Sequence, residues 1–164
     1  MKRQPETSLS PMDCAMKYLA LKDRTVSEMQ TYLDGKQFGE ADVDATVDRL
    51  VELGLLNDAR YAQRFAETRL ASKPISRRHL REQMKGHGLS DADIDAALET
   101  VDDESEDENA RAIADKYMRR FRDLEPEKRR ERVLSRILAR GFSYDAARKA
   151  YEKALSEEEE WSGS

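Results

Sequence analysis

The chain is poor in the residues that staple or break a fold. One Cys among 164 residues excludes an internal disulfide framework and a multi-Cys zinc site. Two His beside that Cys supply too few ligands for a tetrahedral structural metal site. Seven Gly and four Pro are too few for a turn-rich all-β domain. Apolar runs fall well short of the ~18 residues that span a bilayer. The opening Met1-Lys2-Arg3-Gln4-Pro5-Glu6 lacks the apolar core of a secretion signal. There is no GxxxxGK[ST] segment and no GxGxxG segment after a strand, so no phosphate-cradling loop is visible. Acid pairs such as Asp93/Asp95 lie in helix starts and charge runs, and no reacting constellation converges. These absences lead us to expect a cytoplasmic, monomeric, non-enzymatic protein with no cofactor, no metal and no membrane contact.

What is present favours helix. Leu, Ala, Glu, Arg and Asp dominate, with 38% of residues charged and 38% apolar. Start signals recur at Ser10-Pro11, Thr25–Glu28, Ser90–Asp93 and Glu125-Pro126. Stop signals fall at Gly35, Gly54, Gly88 and Gly141. The pattern predicts nine helices, over 12–22, 26–36, 40–53, 57–72, 76–87, 91–101, 106–123, 126–140 and 144–156.

These helices repeat in threes. Met29-Gln-Thr-Tyr-Leu33 aligns with Leu80-Arg-Glu-Gln-Met84 at an offset of 51, and the match runs without a gap through Val43/Ile94 and Val47/Leu98. A third copy follows at an offset of 53, placing Val133 and Ile137 under Leu80 and Met84, and Gly141-Phe142-Ser143 under Gly88-Leu89-Ser90. The first helix of each unit fits only with gaps. A period near 50 in helical sequence predicts an all-α array of three tandem three-helix, helix-turn-helix-like units. Its expected divisions are a flexible N-terminus 1–11, units 12–55, 56–103 and 104–156, and an acidic flexible tail 157–164. Units this small bury little surface alone, so neighbours are expected to share cores.

The net charge of −5 hides segregation. Arg60, Arg64, Arg69, Lys73, Arg77, Arg78, Arg81 and Lys85 face only Glu67 and Glu82 within their stretch. Ten acids and no Lys or Arg follow from Asp91 to Glu108, and ten basic residues stand against four acids from Lys116 to Arg140. Arg77, Arg81 and Lys85 recur at i, i+4, i+8, and Arg129, Arg132, Arg136 and Arg140 form a second row. Two readings stand: a basic face for an anionic partner, with the central stripe exposed and dispensable for folding, or solvated Arg-rich helices partly neutralised by the acidic block. His79 reads as a surface residue, His87 as a helix-end cap and Cys14 as a packed thiol. Trp161 reads as part of the frayed tail, with a fold-back onto a basic stripe as the alternative.

The junction Gly54-Leu55-Leu56-Asn57-Asp58-Ala59-Arg60-Tyr61-Ala62 resembles the central signature of the bacterial RecX family. Ile75-Ser76-Arg77-Arg78-His79-Leu80 through Met84-Lys85-Gly86 resembles the family's next motif, and Ala15–Leu19 with Arg24 and Ser27 its opening. The resemblance spans about residues 12–155; a departure is Lys73-Pro74, where many members carry a Gly. It implies three three-helix units in a curved, elongated molecule. It further implies binding in the groove of the RecA nucleoprotein filament and inhibition of RecA's ATPase, strand-exchange and co-protease activities. Leu55, Leu56, Tyr61 and Ala62 would then pack helices, while Arg77, Arg78, Arg81 and Lys85 would face the partner, with weak contact to DNA at most. The alternative is an autonomous helix-turn-helix DNA-binding module; a third reading is an acidic–basic helical scaffold.

Overall fold

The computed structural model describes residues 8–164, so most of the expected N-terminal segment lies outside the described residues. Among them are nine helices and no strand: α1 (Pro11–Leu21), α2 (Val26–Gly35), α3 (Glu40–Glu52), α4 (Asp58–Ser72), α5 (Arg77–Gly86), α6 (Asp91–Leu98), α7 (Asp103–Arg120), α8 (Pro126–Leu138) and α9 (Tyr144–Ser162). No helix among them is long and apolar enough to cross a membrane. The starts follow the capping chemistry. Ser10 Oγ accepts the Asp13 N–H at 3.1 Å while the Asp13 carboxylate accepts the Ser10 N–H at 3.2 Å, and Thr25 and Glu28 repeat the exchange on α2.

Each unit has its own core. Equivalent positions on the second helices are Met29, Leu80 and Val133, then Leu33, Met84 and Ile137, all fully buried. On the third helices they are Val43, Ile94 and Ala147, then Val47, Leu98 and Tyr151. The first helices offer Ala15, Ala66 and Ala114, small side chains that let the helices approach closely. Each buried Leu, Met or Ile contributes about 1.5–3 kcal/mol. The expectation of shared cores is therefore corrected. The buried clusters are separate, and the most extensive helix contacts all lie inside one unit.

What links the units is a polar joint used twice. At the first, the Val26 N–H, at the open start of α2, donates to Asp58 of α4 at 2.9 Å, and Thr25 Oγ1 donates to the His87 carbonyl at 2.6 Å. At the second, the Arg77 N–H, at the start of α5, donates to Glu106 of α7 at 3.0 Å, and the Ser76 N–H donates to the Arg140 carbonyl at 3.2 Å. In both, free N–H groups at the positive end of a second helix are satisfied by a carboxylate from the next unit's first helix. Burial at the first joint pushes the Asp58 carboxyl up, opposed by its bond from Val26.

The joint explains the turn residues. Gly88 and Gly141 follow the second helices of units two and three with φ of +78° and +90°. A Cβ at Gly88 would collide with the Ser27 side chain, and one at Gly141 would come within 2.5 Å of Ser76 Oγ and His79 Cβ. In the first unit no described residue packs against the turn in this way. Its turn carries Gln37 at φ +65°, so the expected stop at Gly35 falls inside α2 and the left-handed residue is a Gln. At the far end, α8 starts one turn further from its turn glycine than α5 does, and its first residue is Pro126, which has no N–H to give a fourth unit.

Three more expectations change. His79 is not a surface residue: it packs at the second joint against Gly141. Leu55 is 42% exposed, whereas Leu56 and Ala62 are buried and Tyr61 half-buried, because the turn after Gly54 brings only alternate residues inward. The stretch 157–162, expected as a tail after the last helix, continues α9, and Trp161 on it is 85% exposed rather than folded back onto a basic row. His87 does cap α5, and Cys14 is buried, as read.

Candidate partner-binding surface

The two basic rows differ in one respect that sequence spacing conceals: whether acids already occupy them. On α5 the stripe is paired along its length. Arg77 Nη2 meets Asp103 at 2.6 Å, its Nε lies 3.7 Å from Glu106, and its Nη1 donates to the Val101 carbonyl at 3.0 Å. Arg81 pairs with Asp95 at 2.6 Å, Lys85 with Asp91 at 3.5 Å, and Arg78 with Glu82 at 3.4 Å. The acidic block Asp91–Glu108 thus lies along this stripe. Arg77 ties α5 to α7, so the expectation of a stripe free for a partner is corrected at this position. On α4, Arg64 pairs with Asp23 at 3.2 Å across the first joint, and Arg69 lies 5.0 Å above the Phe65 ring. Lys73, at the end of α4, is exposed.

On the third unit the cations are largely without acids. Arg129 is the exception: its side chain is 13% exposed, and its Nη2 donates to the Met118 carbonyl at 2.6 Å and to Glu158 at 3.0 Å. Arg132, Arg136 and Arg140, with Lys116, Arg119 and Arg120 of α7, have no ion-pair partner among the described residues. Arg132 and Arg136 lie over Phe121, at 5.9 and 6.0 Å, and Arg136 also over Tyr117 at 5.4 Å. Tyr117 and Phe121 are themselves stacked, with centroids 5.6 Å apart. A guanidinium resting on a ring keeps its donor fork ordered without using it up. Tyr117 lies on α7 and Phe121 caps its end, and nothing in their spacing signals that α8 arginines lie over them.

The end of α9 adjoins this surface. Glu157 accepts both terminal nitrogens of Arg111, at 3.1 and 2.6 Å, and Arg111 Nε donates to Asp115 at 2.8 Å. These bonds hold the Glu157 carboxyl below its ordinary value of 4.5. The clamp is therefore complete above about pH 4.5 and is lost as pH falls through the lowered folded-state value. The NMR signals of the Arg111 guanidinium should shift in that acidic window, and Glu157→Gln should remove the shift. A step of the same size in the variant would place its origin elsewhere.

Among the described residues no three His, Cys, Asp or Glu side chains gather as a metal site. A groove of about 690 Å³ between α7 and α9 mixes Glu104, Asp107 and Glu108 with Arg111, Lys149 and Lys153.

The fold and surface define a small all-α repeat protein whose third unit carries cations unpaired among the described residues. Family models described as the first and second three-helix domains of RecX match residues 12–50 and 57–98. The regulatory protein RecX of Streptomyces coelicolor is 31% identical over 137 residues, covering 84% of this chain and 73% of its own. That of Chlorobaculum tepidum is 29% identical, covering 91% of each. A crystal structure of RecX from Lactobacillus salivarius superposes with a TM-score of 0.77 at 22% identity, covering 88% of this chain and 94% of that one. The chain belongs to the RecX family of regulatory proteins.

Proposed function

We propose that this protein binds the RecA–DNA filament and lowers its ATPase, strand-exchange and co-protease activities, with the α7/α8 face of the third unit as the principal contact. The observation that carries the choice of face is the distribution of acids. Arg132, Arg136 and Arg140 are unpaired among the described residues, whereas Arg77, Arg78, Arg81 and Lys85 are each engaged by a carboxylate. Arg64, Arg69 and Lys73 form a secondary contact, and Arg129 supports the face from beneath. A filament repeats an anionic surface, and several ordered guanidiniums on one face can meet it together.

The alternative, autonomous helix-turn-helix readout, is disfavoured by the helices that would enter a major groove. In the helix-turn-helix pairs of the first two units these are α3 and α6. α6 carries Asp91, Asp93 and Asp95 and no Lys or Arg; α3 carries Glu40, Asp42, Asp44 and Asp48 against Arg49.

RecA-dependent ATP hydrolysis on single-stranded DNA tests the proposal. Turnover should fall on adding this protein, which alone should hydrolyse no ATP. Unchanged turnover at large excess would falsify it, and a tight duplex footprint without RecA would favour the alternative.

A further inference from the structure

The third helices of the first two units end close to their last core residue: α3 stops two residues after Leu50, and α6 stops at Leu98. α9 does not. Its last buried residue is Ala154, Leu155 packs half-buried beside it, and the helix then continues through Ser156, Glu157, Glu158, Glu159, Glu160 and Trp161 to Ser162. This extension adds no residue to the core. Ion pairs dock it instead: Glu157 on Arg111, and Glu158 on Arg129, the first member of the α8 row. Glu159 and Glu160 have no cationic partner among the described residues.

We infer that the α9 extension is a built-in competitor for the cationic face of the third unit, one that an anionic partner must displace. The inference names the regulation of the surface proposed above and rests on that reading. Four successive glutamates, Glu157 to Glu160, lie at the Arg129 end of the α8 row, where Glu158 is already bonded to it. Both docking glutamates are about half exposed, with side-chain accessibilities of 57% and 45%. Pairs of that kind contribute at most about 1 kcal/mol each and are screened by salt. The extension is therefore held firmly enough to lower the local potential and loosely enough to be released by a polyanion that meets several arginines at once. Releasing it exposes no core, because the core ends at Ala154.

The test compares the full chain with a variant carrying Glu157→Gln, Glu158→Gln, Glu159→Gln and Glu160→Gln, and with a chain ending at Ser156. Each is titrated with inorganic polyphosphate at low and high salt, and separately with the RecA–DNA filament. Both variants should bind polyphosphate at least about threefold more tightly at low salt, with the gain shrinking at high salt. In an Arg132→Gln, Arg136→Gln background the gain should vanish, since the competitor then has little to compete for. Equal or weaker polyphosphate binding by both variants overturns the inference. An equal gain in both backgrounds overturns it too, because that reports net charge alone. If polyphosphate behaves as expected but the filament is not bound, the competitor stands and the RecA reading falls.

Discussion

Replacing Gly141 with alanine should lower the melting temperature by roughly 5–15 °C. Two costs combine. The backbone there has φ +90°, and a left-handed L-residue costs about 1–2 kcal/mol. The new methyl also lands within 2.5 Å of Ser76 Oγ and His79 Cβ, in a joint whose atoms are fixed by the N-cap of α5, so overpacking adds about 1–3 kcal/mol. Gly88→Ala should behave alike, through Ser27. The control is Gln37→Gly, at the same register of the first unit. Relief of the left-handed strain and the added chain entropy of Gly nearly cancel there, leaving a change within about 1 kcal/mol. Because each unit keeps a separate core, the Gly88 variant should also broaden the melt as unit one uncouples from unit two. Calorimetry reads both effects. A Gly88 or Gly141 variant that melts like the parent would show that the joints do not constrain their turns.

Arg77→Gln and the pair Arg132→Gln, Arg136→Gln should fail in opposite ways. Loss of the Arg77 guanidinium leaves the Val101 carbonyl without its donor and Glu106 without its nearby charge, at about 1.5–3 kcal/mol for charge-assisted bonds. Asp103 adds little, since its side chain is 94% exposed. The Arg77 variant should therefore melt several degrees lower. The Arg132/Arg136 variant should melt within about 2–4 °C of the parent, having lost only exposed ring contacts. It should bind the filament at least about tenfold more weakly, a loss of 1.4 kcal/mol that one interfacial arginine can supply. A thermal melt and a filament titration on each variant separate the roles. If the Arg132/Arg136 variant folds and binds normally, the α8 face is not the contact.

The repeat was legible because the buried positions share one register. Met29, Leu80 and Val133 are the same place in three units, and so are Val43, Ile94 and Ala147. The Gly–apolar–Ser junction common to units two and three was legible too. Its absence from unit one was the more informative half of that signal: Gln37 holds the left-handed position there, where units two and three have Gly88 and Gly141 pressed by Ser27 and by Ser76 and His79. The surface was less legible. Helical spacing puts Arg77, Arg81 and Lys85 on one stripe but is silent about Asp91, Asp95 and Asp103, which reach them from α6 and α7. An acidic block distant along the chain reads as separate charge until the fold brings it alongside. The end of α9 was misread because four glutamates in a row suggest solvation; the arginines that order two of them come from α7 and α8.

Pro126 has a consequence beyond its own helix. The joint is directional, with a helix start on one unit and a glycine turn with a carboxylate on the next. Directional contacts of that type, left open at both ends, let whole molecules add head to tail into fibres. Here both ends are spoiled. The last helix start offers a proline and an extra turn where Val26 and Arg77 offer an N–H, and the first turn offers the bulk of Gln37 where Gly88 and Gly141 leave room. Two chains set head to tail would meet proline against glutamine rather than an N–H against glycine, so light scattering should show no lengthening of the array as the protein is concentrated.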